Sequence, residues 1–103
     1  MLNVDPPYYA VIFSSVLKKP SEEYLTMANK MEELAKRQPG FLGIESARQE
    51  VGISVSYWES LEAIKNWKFI PEHMLAQEQG KDLFYKSYSV KICKVEKAYH
   101  FPL

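Results

Sequence analysis

The sequence predicts a single α+β domain with the order β-α-β-β-α-β, an antiparallel four-stranded sheet carrying its helices on one face. Three observations lead there. Residues 53–58 alternate Ile53, Val55 and Tyr57 against Ser54, Ser56 and Trp58, the period of two expected of a strand. That strand hands directly into a helical stretch, with Ser60 placed as its N-cap. Between Pro20 and Gly40 the apolar positions recur at helical spacing, with strand-like segments on either side.

Taken in order, residues 8–18 are aromatic and β-branched in both phases, which marks a strand covered on both faces. Ser21 then caps a helix with Glu22 and Glu23 in its first turn. Tyr24, Met27, Ala28, Met31, Leu34 and Ala35 form its apolar stripe until Pro39-Gly40 stops it, so the helix spans about 21–37. A second strand over about 41–49, a turn at Glu50-Val51-Gly52 and a third strand over about 53–58 make an antiparallel hairpin. Leu61, Ile64 and Trp67 share one face of the next helix. Pro71 breaks it into pieces of about 60–69 and 71–79, with Gly80 expected as terminator. Residues 86–99 return to strand character. Tyr88, Val90 and Ile92 are in phase before the apolar positions shift to Cys93 and Val95, a change expected to mark a bulge or twist. The order is that of the ferredoxin-like fold.

At 103 residues the chain fits one domain, 1–103, with a core over about 8–100. Its 13 basic and 13 acidic side chains balance, so no net field draws it to nucleic acid or to an anionic membrane. The single cysteine, Cys93, forms no internal disulfide, and Met1–Pro7 lacks the basic and apolar regions of a leader. Both point to the cytoplasm. No apolar run approaches the roughly 20 residues that span a bilayer. A sheet with both helices on one face leaves the other open. With the first strand apolar in both phases and aromatics at 14 %, that face is expected to meet a second copy in a homodimer.

Pro39-Gly40-Phe41-Leu42-Gly43-Ile44, leading into the second strand, and Tyr57-Trp58-Glu59-Ser60-Leu61-Glu62-Ala63-Ile64, at the strand-to-helix join, resemble the antibiotic biosynthesis monooxygenase family of dimeric α+β barrels. Trp67, His73, Gly80 and the closing Val95-Glu96-Lys97-Ala98-Tyr99-His100-Phe101 extend the likeness over almost the whole chain. The resemblance implies a pocket between sheet and helices. In some members of the family it also implies oxygenation of phenolic or polycyclic substrates without metal or organic cofactor. A second branch of the superfamily degrades heme, with an asparagine in the first strand and a tryptophan and a histidine in the second helix. Trp67 and His73 match that branch only in type. Their spacing is shorter, and the first strand offers Ser14 and Ser15 with no asparagine, so heme is not expected.

Within this frame His73 falls at the third position of a short helix opened by Pro71, where the helix dipole disfavours imidazolium. It reads either as a general base or orienting donor for a substrate oxygen, or as a histidine that closes the helix end against backbone. Trp67 reads as core or as pocket lining. Tyr57 and Trp58 point to opposite faces, so only one of them lines the pocket. Ser54 and Ser56 form a polar stripe on the face of Trp58, bordering a cavity or water. Cys93 reads as a small buried apolar side chain. Two distant histidines, His73 and His100, supply no metal shell, and no phosphate-binding loop occurs. The same strand order serves RNA readers, but residues 52–59 carry no basic residue and end in Glu59, so RNA is set aside.

Two functions from different classes follow. One is a cofactor-independent monooxygenase that takes a phenolic or quinol-type aromatic substrate, with His73 as catalytic base and Trp67, Tyr57, Trp58, Ser54 and Ser56 as substrate-binding candidates. The other is a non-catalytic dimeric module that binds a small ligand or serves a stress response.

Overall fold

The computed structural model describes residues 4–102; the outermost residues of the expected domain, 1–3 and 103, lie outside them. The elements run β1 (Tyr8–Leu17), α1 (Glu22–Lys36), β2 (Phe41–Arg48), β3 (Gly52–Trp58), α2 (Leu61–Lys68), α3 (Pro71–Gln79) and β4 (Tyr85–Val95). The strands form one antiparallel sheet in the order β2-β3-β1-β4, the ferredoxin-like arrangement.

Capping follows the sequence. Ser21 Oγ accepts from the Tyr24 amide at 3.1 Å, and Ser60 Oγ accepts from the Ala63 amide at 3.0 Å. Pro71 opens α3 at a position where its missing N–H costs nothing. Gly40 turns the chain out of α1 at φ +85°, and a Cβ there would stand 2.6 Å from the Ala63 Cβ. Both its dihedral and its neighbour therefore require glycine.

Register decides which residues share a face, because directly paired residues point the same way. Trp58 pairs with Tyr9 and Phe41, Ser56 with Val11 and Ile44, and Ser54 with Phe13 and Ser46. This is the helix face: Trp58, Ala35 of α1 and Ala63 and Ile64 of α2 form the buried core, with Tyr9, Val11, Phe41 and Trp67 packed on it. The opposite face carries Tyr57 beside Ala10 and Gly43, Val55 beside Ile12, and Ile53 beside Ser14. Among the described residues no helix covers it. Strand β1 is thus apolar on both faces, as its sequence requires.

Some expectations are corrected. Cys93, expected to be buried, is exposed. As expected, α3 ends at Gln79 with Gly80 as its C-cap, but not by a left-handed stop: at φ −58° the chain runs on into a π-helical turn over Gly80–Phe84. The role of Gly80 is close approach, since a Cβ would lie 2.8 Å from the Tyr85 ring. Strand β4 begins at Tyr85 and ends at Val95 rather than 99, and its irregularity faces Val16/Leu17 rather than lying at Cys93. Register is continuous through Ile92 and Cys93, so the shift in apolar phase is a change of face. Tyr88, Val90 and Ile92 pair with Ser15, Phe13 and Val11 on the helix face, whereas Cys93 and Val95 pair with Ala10 and Tyr8 on the other.

Candidate functional site

At one end of the helix face four rings adjoin in sequence, three stacked and the fourth edge-on. The His73 imidazole lies on the Trp67 indole at 4.2 Å between centroids and 11° from parallel. Trp67 lies over Trp58 at 6.2 Å and 24°, and Trp58 meets Phe41 edge-on at 5.4 Å. The break between α2 and α3 makes this possible: Pro71 redirects the chain so that a residue six positions beyond Trp67 folds back over its ring.

The Nδ1 of His73 lies 3.1 Å from the Trp67 carbonyl oxygen. A carbonyl only accepts, so in the neutral ring Nδ1 carries the proton and Nε2 is left with a free lone pair. Burial pushes the imidazole below its usual pKa, and the charge of Lys68 adds to this. The hydrogen bond to Trp67 works the other way. His73 is therefore neutral and basic at Nε2 near pH 7.

Ser54 and Ser56 lie on this same face, and Ser56 Oγ accepts from Trp58 Nε1 at 2.9 Å. Trp58 is fully buried, so any contact of the ring series with a ligand passes through its half-buried members Trp67, His73 and Phe41. Tyr57 is separated from the other five candidates. On the open face its hydroxyl donates to Glu45 Oε1 at 2.6 Å and its ring meets Tyr8 edge-on at 5.9 Å. That hydrogen bond to a carboxylate, followed by burial and the Glu45 charge, pushes the phenol up to about 12.

A second polar constellation was not singled out from the sequence. Arg48, on the helix face at the end of β2, donates from Nη1 to the Ser15 carbonyl at 3.3 Å and from Nη2 to Ser15 Oγ. Its Cζ stands 5.3 Å from the centroid of the Tyr24 ring. Tyr24 packs edge-on against Tyr85 at 5.8 Å, and Tyr85 against Phe13 at 5.4 Å. Burial raises the Tyr85 phenol well above its usual value, with neighbouring Tyr24 adding to it and Arg48 opposing. The available signal was phase: Arg48 is in phase with Ile44 and Ser46, which places a cation on the helix side of β2.

Two grooves open on the surface. One of about 900 Å³ lies between the end of β1, the start of α1 and Arg48; the other, of about 570 Å³, lies between α1 and α3. Neither is lined by His73, Trp67, Trp58, Ser54 or Ser56. Among the described residues no three of His, Cys, Asp and Glu converge as metal ligands, and no helix is long and apolar enough to cross a membrane.

Residues 7–79 match the family described as antibiotic biosynthesis monooxygenase. The chain belongs to the antibiotic biosynthesis monooxygenase family. An uncharacterized protein of Bacillus subtilis (strain 168), YqjZ, is 48 % identical over 95 residues, covering 90 % of this chain and 83 % of that one. Among solved structures, SnoaB from Streptomyces nogalater, described as a cofactor-independent oxygenase, is similar with a TM-score of 0.74 at 12 % identity, over 95 % of this chain and 100 % of that one. Protein SO0527 from Shewanella oneidensis is similar with a TM-score of 0.78 at 14 % identity, over 95 % and 98 % of the two chains. At such identities the likeness is one of fold. The family match adds that the stack of Trp58, Trp67 and His73 belongs to a monooxygenase-family chain, although the matched span ends before β4.

Proposed function

We propose that this member of the antibiotic biosynthesis monooxygenase family is a cofactor-independent monooxygenase acting on a small phenolic or quinol-type aromatic. The observation that carries the reading is the His73 imidazole, kept neutral by burial and tautomerically fixed by the Trp67 carbonyl, with Nε2 free to take a proton. The fold shared with a cofactor-independent oxygenase supports it.

In this mechanism His73 Nε2 removes the proton of the substrate hydroxyl. The resulting anion is electron-rich enough to pass one electron to O2, and the substrate radical and superoxide combine into a peroxide anion, which takes the proton back from His73 Nε2 to give a hydroperoxide. Loss of water then gives a quinone, so one oxygen atom enters the product and the other leaves as water. Trp67 offers a flat apolar surface against which an aromatic substrate packs, and the exclusion of water there favours the neutral base. The protein acts in the cytoplasm as a homodimer joined through the open sheet face, where Ile53, Val55 and Ile12 are otherwise left to water. Incorporation of 18O from labelled O2 into the quinone product of a dihydroxynaphthalene or anthrone, with chelator present, tests the reading. Label arriving from water instead contradicts it.

One observation favours the second reading, a non-catalytic dimeric module for a small ligand: both grooves open away from His73. In that case ligand binds with no uptake of oxygen.

A further inference from the structure

The larger groove lies at the opposite end of the helix face from His73. Its Arg48 pairs across the hairpin with Gly52, six residues before Trp58 on β3, or about 20 Å along the strand. Among the described residues Arg48 is the only cation lining this groove. Its guanidinium is held from several sides: Ser15 accepts through its carbonyl oxygen and through Oγ, and the Tyr24 ring lies against it. Gly52 completes the seat, because a Cβ at that position would overlap the guanidinium.

These contacts use two of the five N–H donors of an arginine. Among the described residues no carboxylate comes within 4.0 Å of it. A half-buried cation has lost part of its hydration, and an anion supplied from outside restores both charge balance and hydrogen bonds.

We propose that this groove binds a small organic monocarboxylate, its carboxylate on the free edge of the Arg48 guanidinium and its apolar body against Val16, Leu17 and Leu25. The volume of about 900 Å³ suits a small-molecule ligand. A single positive charge matches a monoanion, and the exposed carboxylates of Glu22 and Glu50 on the groove wall oppose a dianion such as a phosphate monoester. The site is independent of the His73 reading and stands whether or not the protein turns over oxygen.

Calorimetric and amide-shift NMR titration of the full chain tests it, with naphthoate, neutral naphthamide and naphthyl phosphate as probes. Naphthoate is expected to bind with shifts at Leu17, Ser21, Leu25 and Gln49, and the other two at least about tenfold more weakly. Arg48→Met, which keeps the length of the stem, should lower naphthoate affinity about 10- to 100-fold, the worth of a charge-assisted pair. Leu25→Glu places a carboxylate on the exposed wall, away from Arg48's own partners, and should weaken naphthoate while sparing the fold; His73→Ala should leave binding unchanged. Absent naphthoate binding, equal or tighter binding of the amide or the phosphate, wild-type affinity in Leu25→Glu, loss of binding in His73→Ala, or shifts confined to the surroundings of Trp67 would each overturn it.

Discussion

The imidazole of His73 lies flat on the indole of Trp67, 4.2 Å away, while its Nδ1 donates to the carbonyl of that same residue at 3.1 Å. One tryptophan thus fixes both the plane and the tautomer of the histidine. The arrangement leaves Nε2 as the basic atom and keeps enough water away to hold the ring neutral.

A first prediction concerns acid stability. Burial lowers the folded-state pKa of His73 below its unfolded value of about 6.5, so the unfolded chain binds more protons in the interval between them. The stability linked to His73 is fully present above about pH 6.5 and is lost as pH falls through the lowered folded value. Urea midpoints at pH 7 and pH 5 should differ more for the wild type than for His73→Gln. An identical drop in both would show that the imidazole is as hydrated folded as unfolded.

Trp67→Ala removes the surface that covers the imidazole. Water then reaches His73, and its pKa, followed by NMR, should move up toward the ordinary value. Trp67→Phe retains a flat ring and should leave the titration nearly unchanged; in a turnover assay its effect should fall mainly on KM through lost contact area.

The open sheet face predicts a dimer. Sedimentation should give about twice the chain mass of 12.0 kDa. Val55→Lys, in the middle of that face beside Ile12 and Glu45, should shift the protein to monomer without touching the helix-side core.

Gly40 combines a left-handed φ of +85° with a Cβ position 2.6 Å from Ala63. The dihedral alone costs a non-glycine residue about 1–3 kcal/mol, and the clash adds to it. Gly40→Ala should therefore lower Tm by at least about 4–8 °C, the shift expected for roughly 1 kcal/mol in a domain of this size.

How far each feature was legible depends on how local its cause is. The alternation at 53–58 placed Ser54, Ser56 and Trp58 on one face, and the caps at Ser21 and Ser60 and the stop at Pro39-Gly40 follow from neighbouring residues. Which of Tyr57 and Trp58 lies under the helices was not legible, because both are aromatic and the answer depends on how β3 docks against α2. Gly80 was legible in part: its sequence context placed the end of α3, but the demand for a glycine there comes from the ring of Tyr85. The stack of His73 on Trp67 depends on the angle between α2 and α3, and periodicity within each helix carries no information about that angle. The seat of Arg48 joins Ser15, Tyr24 and Gly52 from three other segments, so it emerges only from the strand register and the docking of α1.

The proposed function turns on His73 Nε2 as the base of an oxygenase. Its most direct test is kcat for oxygen uptake on a dihydroxynaphthalene or anthrone, with chelator present, in the wild type and in His73→Ala. Uptake by the wild type is expected, with a fall of about 100- to 10,000-fold in a variant that remains folded. Wild-type rates in folded His73→Ala would contradict it.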